Sequence, residues 1–213
     1  MPILAIDTAL DACSAALLAG GEVLAERIEP MATGHAEAFF GILDEVFRDA
    51  GVKRADVAAI GVTVGPGSFT GIRVGLAAAR GLALALSVPA HGVTTFQPFA
   101  EPHRAGHPDF AVLIDARRGA FYRQRFLNGV PGAAEIVPVA APLEGLDPDT
   151  ALAGPAASAV ALEGHAVLAG APHLPVAAVA RLVVAGRGLL PSSPLYLREA
   201  DAKPQGAAVL ARR

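Results

Sequence analysis

The segment VGPGSFTGIRVG, residues 64–75, places four glycines and a proline between an apolar run and a long apolar stretch. Glycines at such a junction either cradle a phosphate or let two backbones approach closely. The Walker A pattern fails, because Ile72 and Arg73 stand where lysine and Ser/Thr are required. The dinucleotide-binding pattern is weak, because the glycine spacing is one residue too long and the next strand carries no acid. Close packing is therefore the stronger interpretation.

The elements around this loop alternate between strands and helices. Gly20 and Gly21 divide residues 13–29 into two strand-length segments, which predicts a hairpin. Apolar residues recur at intervals of three and four over 36–50, which predicts an amphipathic helix that ends before Gly51. Further strands are predicted over 3–7, 56–64 and 89–95, and a further helix over 70–87. The first half is thus predicted to have the order β-β-β-α-β-α-β.

The second half repeats the beginning of the first. Residues 101–109 are rich in Pro, Gly and His, as a connection between domains often is. The run that follows again ends in Ile-Asp, so that Asp7 and Asp115 lie 108 residues apart, about half the chain. A strand and a helix are predicted over 151–164, and another helix over 175–188. We therefore predict an α/β fold of two related βββαβα domains, residues 1–102 and 103–213, with a frayed tail from Ala200.

Composition narrows the class of protein. The chain of 213 residues is 53% hydrophobic and 17% charged, with a formal net charge of −3, which predicts a compact protein without general basic character. Cys13 is the single cysteine, which excludes an internal disulfide framework. The most membrane-like stretch, 72–88, is interrupted by Arg73 and Arg80, and the N-terminus has no basic leader. A soluble, cytoplasmic protein without a membrane partner is expected.

The two predicted helices of the first half carry more apolar surface than one sheet can cover. In 72–88 the polar side chains are Arg73, Arg80 and Ser87, which form one narrow line along the helix. Coverage by a second domain of the same chain would explain this, and so would an interface with another chain. On the second interpretation the interface residues are Phe39, Ile42, Phe47, Gly67, Gly71, Ile72, Arg73, Gly75, Leu76 and Ala79.

Five segments together carry a family resemblance: LAIDTALDACSAAL, GPGSFTGIRVGLAAARGLA, PAHGVTTFQPFA, IDARRGAFY and PLYLREA. In this order they resemble the TsaB family, also called YeaZ, along nearly the whole chain. The resemblance implies an actin-like (ASKHA) fold and a non-catalytic subunit of the bacterial machinery that makes threonylcarbamoyladenosine in tRNA. It also implies that the chain pairs with the catalytic paralogue TsaD and that the ATPase TsaE joins this pair. Contact with tRNA would then occur through the complex. The same exposed helices make a homodimer plausible when the chain is alone.

The catalytic metal site of that paralogue has no counterpart here. Aligned from Val93, its His-x-x-x-His ligands fall on Thr95 and Phe99, and phenylalanine cannot bind a metal. His103 and His107 have the right spacing for one helix face, but Pro102, Gly106 and Pro108 argue against a helix there. The sequence therefore predicts neither a metal nor a cofactor.

Asp7 and Asp115 are candidates for a vestigial nucleotide site. In actin-like kinases an acid at the end of the first strand precedes a glycine-containing phosphate hairpin, whereas DTALDACS has no glycine. Asp7 is as well explained as a structural acid that accepts hydrogen bonds from loop amides, and we expect weak or no ATP binding. The alternative function is an actin-fold kinase or a metal-dependent, peptidase-like enzyme with Asp7 and the histidines as its site.

A basic cluster is the other candidate site. Arg117, Arg118, Arg123 and Arg125 could contact tRNA phosphates, and a solvated sheet face explains them equally well.

Overall fold

The computed structural model describes residues 1–161, 165–168 and 170–198. Its first half contains β1 (Ile3–Asp7), β2 (Ala12–Ala19), β3 (Glu22–Pro30), α1 (His35–Ala50), β4 (Ala59–Gly65), α2 (Phe69–Leu86), β5 (Ala90–Thr94) and α3 (Phe96–Ala100). Its second half contains β6 (Asp109–Asp115), β7 (Ala120–Leu127), β8 (Val130–Pro138), β9 (Ala151–Ala153), α4 (Ala157–Val160), α5 (Val176–Val184) and β10 (Leu190–Pro191). The predicted order of the first half is confirmed, with α3 and a short 3-10 helix (Arg54–Asp56) as additions.

Glycines mark the element ends as the sequence indicates. Gly20 and Gly21 have φ of 60° and 89° in the turn between β2 and β3. Gly51 caps the C-terminus of α1 with φ of 64°, and its N–H donates to the carbonyl of Arg48. The hairpin and the helix end are therefore both confirmed.

The two halves share one strand topology. The first sheet has the order β10-β5-β4-β1-β2-β3, and the second has the order β8-β7-β6-β9. In each, the first strand of the half pairs antiparallel with the second and parallel with the fourth. This repetition confirms the duplicated, actin-like fold. The halves differ after their third strand, where the first half has the 16-residue α1 and residues 139–150 of the second form turns.

The division at residue 102 needs correction, because the chain returns to the first sheet near its end. Helix α5 packs on β1, β2 and β4, and Val179 and Val183 lie against Gly61 of β4. Strand β10 then pairs with β5 at the edge of the same sheet. Six of the nine residues of α5 are buried, because this helix covers the face of the first sheet that α1 and α2 leave open. The described residues from 103 onward therefore do not form one separate unit.

The central strands of the first sheet, β1, β2 and β4, are buried on both faces. Alternate side chains of β1 point to opposite sides: Leu4 and Ile6 join the core under α1 and α2, whereas Ile3 and Ala5 join the core under α5. The core under α5 also includes Phe110 and Phe126 of the second sheet, whose ring centroids lie 5.0 Å apart in a stacked arrangement. One continuous apolar core therefore joins the two sheets.

Candidate functional site

The glycine-rich loop lies against the turn that follows β1. A Cβ added at Gly71 would lie 2.0 Å from the carbonyl oxygen of Thr8, and one at Gly67 would lie 2.2 Å from that of Ala9. Hydrogen bonds join the same backbones: Ser68 N donates to Ala9 O at 2.7 Å, and Thr8 Oγ1 donates to Gly71 O at 2.6 Å. The glycines therefore serve a close approach within the chain, and their spacing does not mark the contact of a partner helix.

The predicted interface residues require a correction. Eight of the ten are buried in the chain's own core, Gly67 is half-buried, and Arg73 is exposed. The eight are Phe39, Ile42, Phe47, Gly71, Ile72, Gly75, Leu76 and Ala79. Helical periodicity identifies an apolar stripe, and on α1 and α2 that stripe is the one that the sheet and the β1 turn cover.

The opposite stripes of the two helices form an exposed surface of apolar and small residues. We call it the outer face; it consists of Phe40, Gly41, Ala77, Gly81, Leu84 and Ala85. Leu84 is 83% exposed and Phe40 is 58% exposed. Over its 18 residues α2 is long and apolar enough to cross a membrane, but its Gly71 and Gly75 edge packs on the β1 turn as in a globular core. Exposed apolar side chains grouped in this way make the outer face a candidate interaction site.

A cleft of about 420 Å³ separates the β1 turn from the second sheet. Its walls are mainly apolar, with Leu10, Ile114, Phe121 and Leu174 among them. Two of its lining residues, Asp11 and Arg117, form an ion pair that links the turn after β1 to the turn after β6. Asp115 also lines the cleft, and its Oδ1 accepts a hydrogen bond from the backbone N–H of Arg117 at 2.7 Å.

Asp7 occupies the equivalent strand end but is absent from the cleft walls among the described residues. It is fully buried, and its Oδ1 accepts hydrogen bonds from Thr63 Oγ1 at 2.5 Å and from Ala9 N at 3.1 Å. Its Oδ2 has no hydrogen-bond partner in the described part of the chain. Burial raises the pKa of Asp7 from 3.8 to about 6, although the hydrogen bonds act in the opposite direction. The two aspartates therefore do not converge on one ligand.

Asp7→Asn should stabilise the chain at alkaline pH. The raised pKa means that ionised Asp7 costs folding free energy, a cost absent below pH 3.8, growing toward about pH 6 and constant above it. We expect a gain of about 1–2 kcal/mol at pH 8, less than the full linkage value because Thr63 and Ala9 then bond a neutral oxygen. Urea unfolding at pH 5 and pH 8 measures this. An equal pH dependence in wild type and variant would contradict it.

All four arginines of the basic cluster interact with groups of the same chain, which argues against a phosphate-binding face. Arg123 has a side chain only 7% exposed, and it bonds the carbonyls of Pro142 and Glu144 and the carboxylate of Glu135. Arg125 forms a forked pair with Asp109, at 2.6 and 2.8 Å, and a further pair with Asp147. The hydrogen bonds that Arg125 donates to Asp109 lower the pKa of the Asp109 carboxyl. Arg117 pairs with Asp11, and Arg118 also has a partner.

Thr95 and Phe99, on which the resemblance places the paralogue's metal ligands, have structural roles. Thr95 is buried, and its hydroxyl donates to the carbonyl of Pro66 at 2.6 Å. Phe99 packs in the apolar core. His103 and His107 are half-buried in the turns before β6, with ring centroids 6.0 Å apart. No cluster of three or more His, Cys, Asp or Glu suited to a metal occurs among the described residues.

Comparisons with known proteins agree on one family. The family model described as "TsaD: tRNA N6-adenosine threonylcarbamoyltransferase" matches residues 22–181. An uncharacterized protein of Mycobacterium bovis is 34% identical over 95% of this chain and 94% of its own length. The TsaB of Escherichia coli, named a tRNA threonylcarbamoyladenosine biosynthesis protein, is 38% identical over 61% of this chain and 58% of its own length.

A solved structure extends the similarity to the fold. YeaZ from Pseudomonas aeruginosa superposes with a TM-score of 0.74 and 27% identity, covering 92% of this chain and 99% of that one. The duplicated sheets, the family model and these relatives lead to one assignment. The chain belongs to the TsaB/YeaZ branch of the tRNA N6-adenosine threonylcarbamoyltransferase family.

Proposed function

We propose that this chain acts in tRNA threonylcarbamoyladenosine biosynthesis as a non-catalytic subunit that pairs with the catalytic paralogue TsaD. The observation that carries the proposal is the outer face, where Leu84 is 83% exposed on a helix that is otherwise rich in alanine, glycine and leucine. A side chain of that kind gains about 1.5–3 kcal/mol when it is removed from water. Pairing of α1 and α2 with the helices of a partner would bury it.

The structural roles of the candidate catalytic positions within the described residues support the non-catalytic part. Phe99 packs in the apolar core, the Thr95 hydroxyl donates to the carbonyl of Pro66, and buried Asp7 is not among the residues that line the cleft in the described part of the chain. The chain would then act on the activity of its partner by binding one of the partner's conformations more tightly and so raising its population. TsaE and tRNA would join through the assembled complex, in the cytoplasm.

The first experiment mixes the purified chain with TsaD from the same organism. Light-scattering chromatography should give a defined heteromer, and only fractions that contain both chains should transfer threonylcarbamoyl to tRNA. A chain that ignores TsaD and hydrolyses ATP alone would contradict the proposal and favour the actin-fold enzyme. Chromatography of the chain alone would show whether the same face also supports a homodimer.

A further inference from the structure

Two arginines stand in line on the exposed side of α2. Arg73 and Arg80 are seven residues apart, which places them on one stripe of the helix about 10.5 Å from each other. Ala77 lies between them on the same side, and Leu84 lies one turn further on. The arginines therefore border the apolar part of the outer face.

Both arginines are held by one segment from the end of the described chain. Arg73 Nε donates to Tyr196 Oη at 3.0 Å, and Arg80 Nε donates to the carbonyl of Ser192 at 2.7 Å. We call residues 190–198 the C-terminal strap. The guanidinium of Arg73 also lies 3.7 Å above the ring of Phe69, whose centroid is 5.0 Å from that of Tyr196.

The C-terminal strap is itself anchored. Its residues Leu190 and Pro191 form β10, which pairs with β5. Further along, Leu195 N donates to the carbonyl of Val64 at 2.7 Å, and the Leu195 carbonyl lies so close to Gly65 that a Cβ there would be 2.4 Å away. The strap thus holds two exposed guanidinium groups against the start and middle of α2.

Each guanidinium still has donors to offer. Within residues 1–161, 165–168 and 170–198, the Nη atoms of Arg73 and Arg80 make no hydrogen bond and no ion pair. A planar guanidinium that is fixed through Nε presents its two Nη groups side by side, which suits a carboxylate. Because the strap has already ordered these long side chains, less conformational entropy is lost when an acid binds.

We propose that Arg73 and Arg80, positioned by the C-terminal strap, bind two carboxylates seven residues apart on the partner's helix. This inference rests on the proposed function, since it names what the pairing surface recognises. Two turns of helix set the spacing of the arginines, and the small Ala77 and Gly81 leave room for a helix to lie close. A polyanion such as tRNA fits less well, because the arginines border exposed apolar side chains such as Leu84, which a phosphate backbone would leave in water and a protein partner would bury.

Titration calorimetry with TsaD from the same organism tests this inference. Arg73→Lys/Arg80→Lys keeps both charges but removes the planar fork, and Tyr196→Phe removes only the hydroxyl that holds Nε. We expect Kd to rise roughly 10-fold for the double variant and roughly 3-fold for Tyr196→Phe. The control is Arg181→Lys, an exposed arginine of α5 on the opposite side of the first sheet, which should leave Kd unchanged.

The outcomes separate this inference from the proposed function. Wild-type affinity in the double variant and in Tyr196→Phe, while the wild-type chain pairs with TsaD, would overturn the role of the arginines and leave the pairing intact. Normal pairing combined with weaker tRNA binding by the variants would also overturn it, in favour of phosphate contacts. If the wild-type chain does not bind TsaD at all, both proposals fail.

Discussion

Replacing Gly71 by alanine is expected to lower the free energy of unfolding by about 3–5 kcal/mol. The added methyl carbon would lie 2.0 Å from the carbonyl oxygen of Thr8, far inside van der Waals contact, and 3.1 Å from its carbonyl carbon. Both are backbone atoms of the turn that follows β1, so no side chain can rotate away. Relief requires α2 to move from the sheet, which would also break the bond from Thr8 Oγ1 to Gly71 O.

The matched control lies in the same helix. A Cβ added at Gly81 would have no neighbouring atom within 4 Å, and Gly81 is exposed. Gly81→Ala should therefore stabilise the chain by about 0.5–1 kcal/mol, because alanine loses less backbone entropy in a helix. Thermal unfolding followed by circular dichroism distinguishes the two variants. Equal melting temperatures for Gly71→Ala and Gly81→Ala would contradict the close approach of α2 to the β1 turn.

Local signals account for the part of the fold that the sequence predicts well. Gly20 with Gly21 defines the hairpin, Gly51 ends α1, and the Ile-Asp repeat at Asp7 and Asp115 reports the duplication. Each of these features depends on a few neighbouring residues or on strand periodicity. The turn geometry and the side-chain alternation are fixed locally, so reading along the chain is enough to find them.

The position of α5 depends on contacts between distant parts of the chain. Its sequence shows an apolar helix, but periodicity does not say which sheet it covers, and Val179 lies against Gly61 more than a hundred residues away. The strand alternation placed Arg123 and Arg125 on one face, yet their partners Glu135, Asp147 and Asp109 decide whether that face is free. Charge patterns alone therefore overstated the basic patch.

The residues predicted for the interface mostly pack inward, because the sequence pattern did not show which side of each helix faces the sheet. On a helix that is apolar almost all round, hydrophobicity cannot distinguish the stripe on the sheet from the stripe in solvent. The surplus apolar surface was inferred correctly, but the residues named for it were mostly those that pack inward. A usable signal is available in the glycines: Gly71 and Gly75 mark a close backbone approach, so the outward stripe is the opposite one, where Leu84 lies.

Leu84→Glu is expected to weaken pairing with TsaD at least roughly 100-fold, or about 2.7 kcal/mol. The substitution places an unpaired carboxylate at the most exposed apolar position of α2, where a bound partner would exclude water from it. Titration of wild type and variant with TsaD gives the ratio of Kd. The isolated variant should unfold within about 0.5–1 kcal/mol of wild type, since Leu84 contacts little of its own chain.

Val184→Glu provides the control that makes this result interpretable. Val184 is 62% exposed in the last turn of α5, so the substitution has the same charge, the same helical setting and the same unfavourable position near a helix C-terminus. Helix α5 covers the other face of the first sheet, away from α1 and α2. If Val184→Glu weakens pairing as much as Leu84→Glu does, the loss reflects added negative charge, and the partner does not bind at the outer face. If only Leu84→Glu loses affinity, the pairing surface lies on α2, on the stripe opposite the glycines that fix this helix to its own sheet.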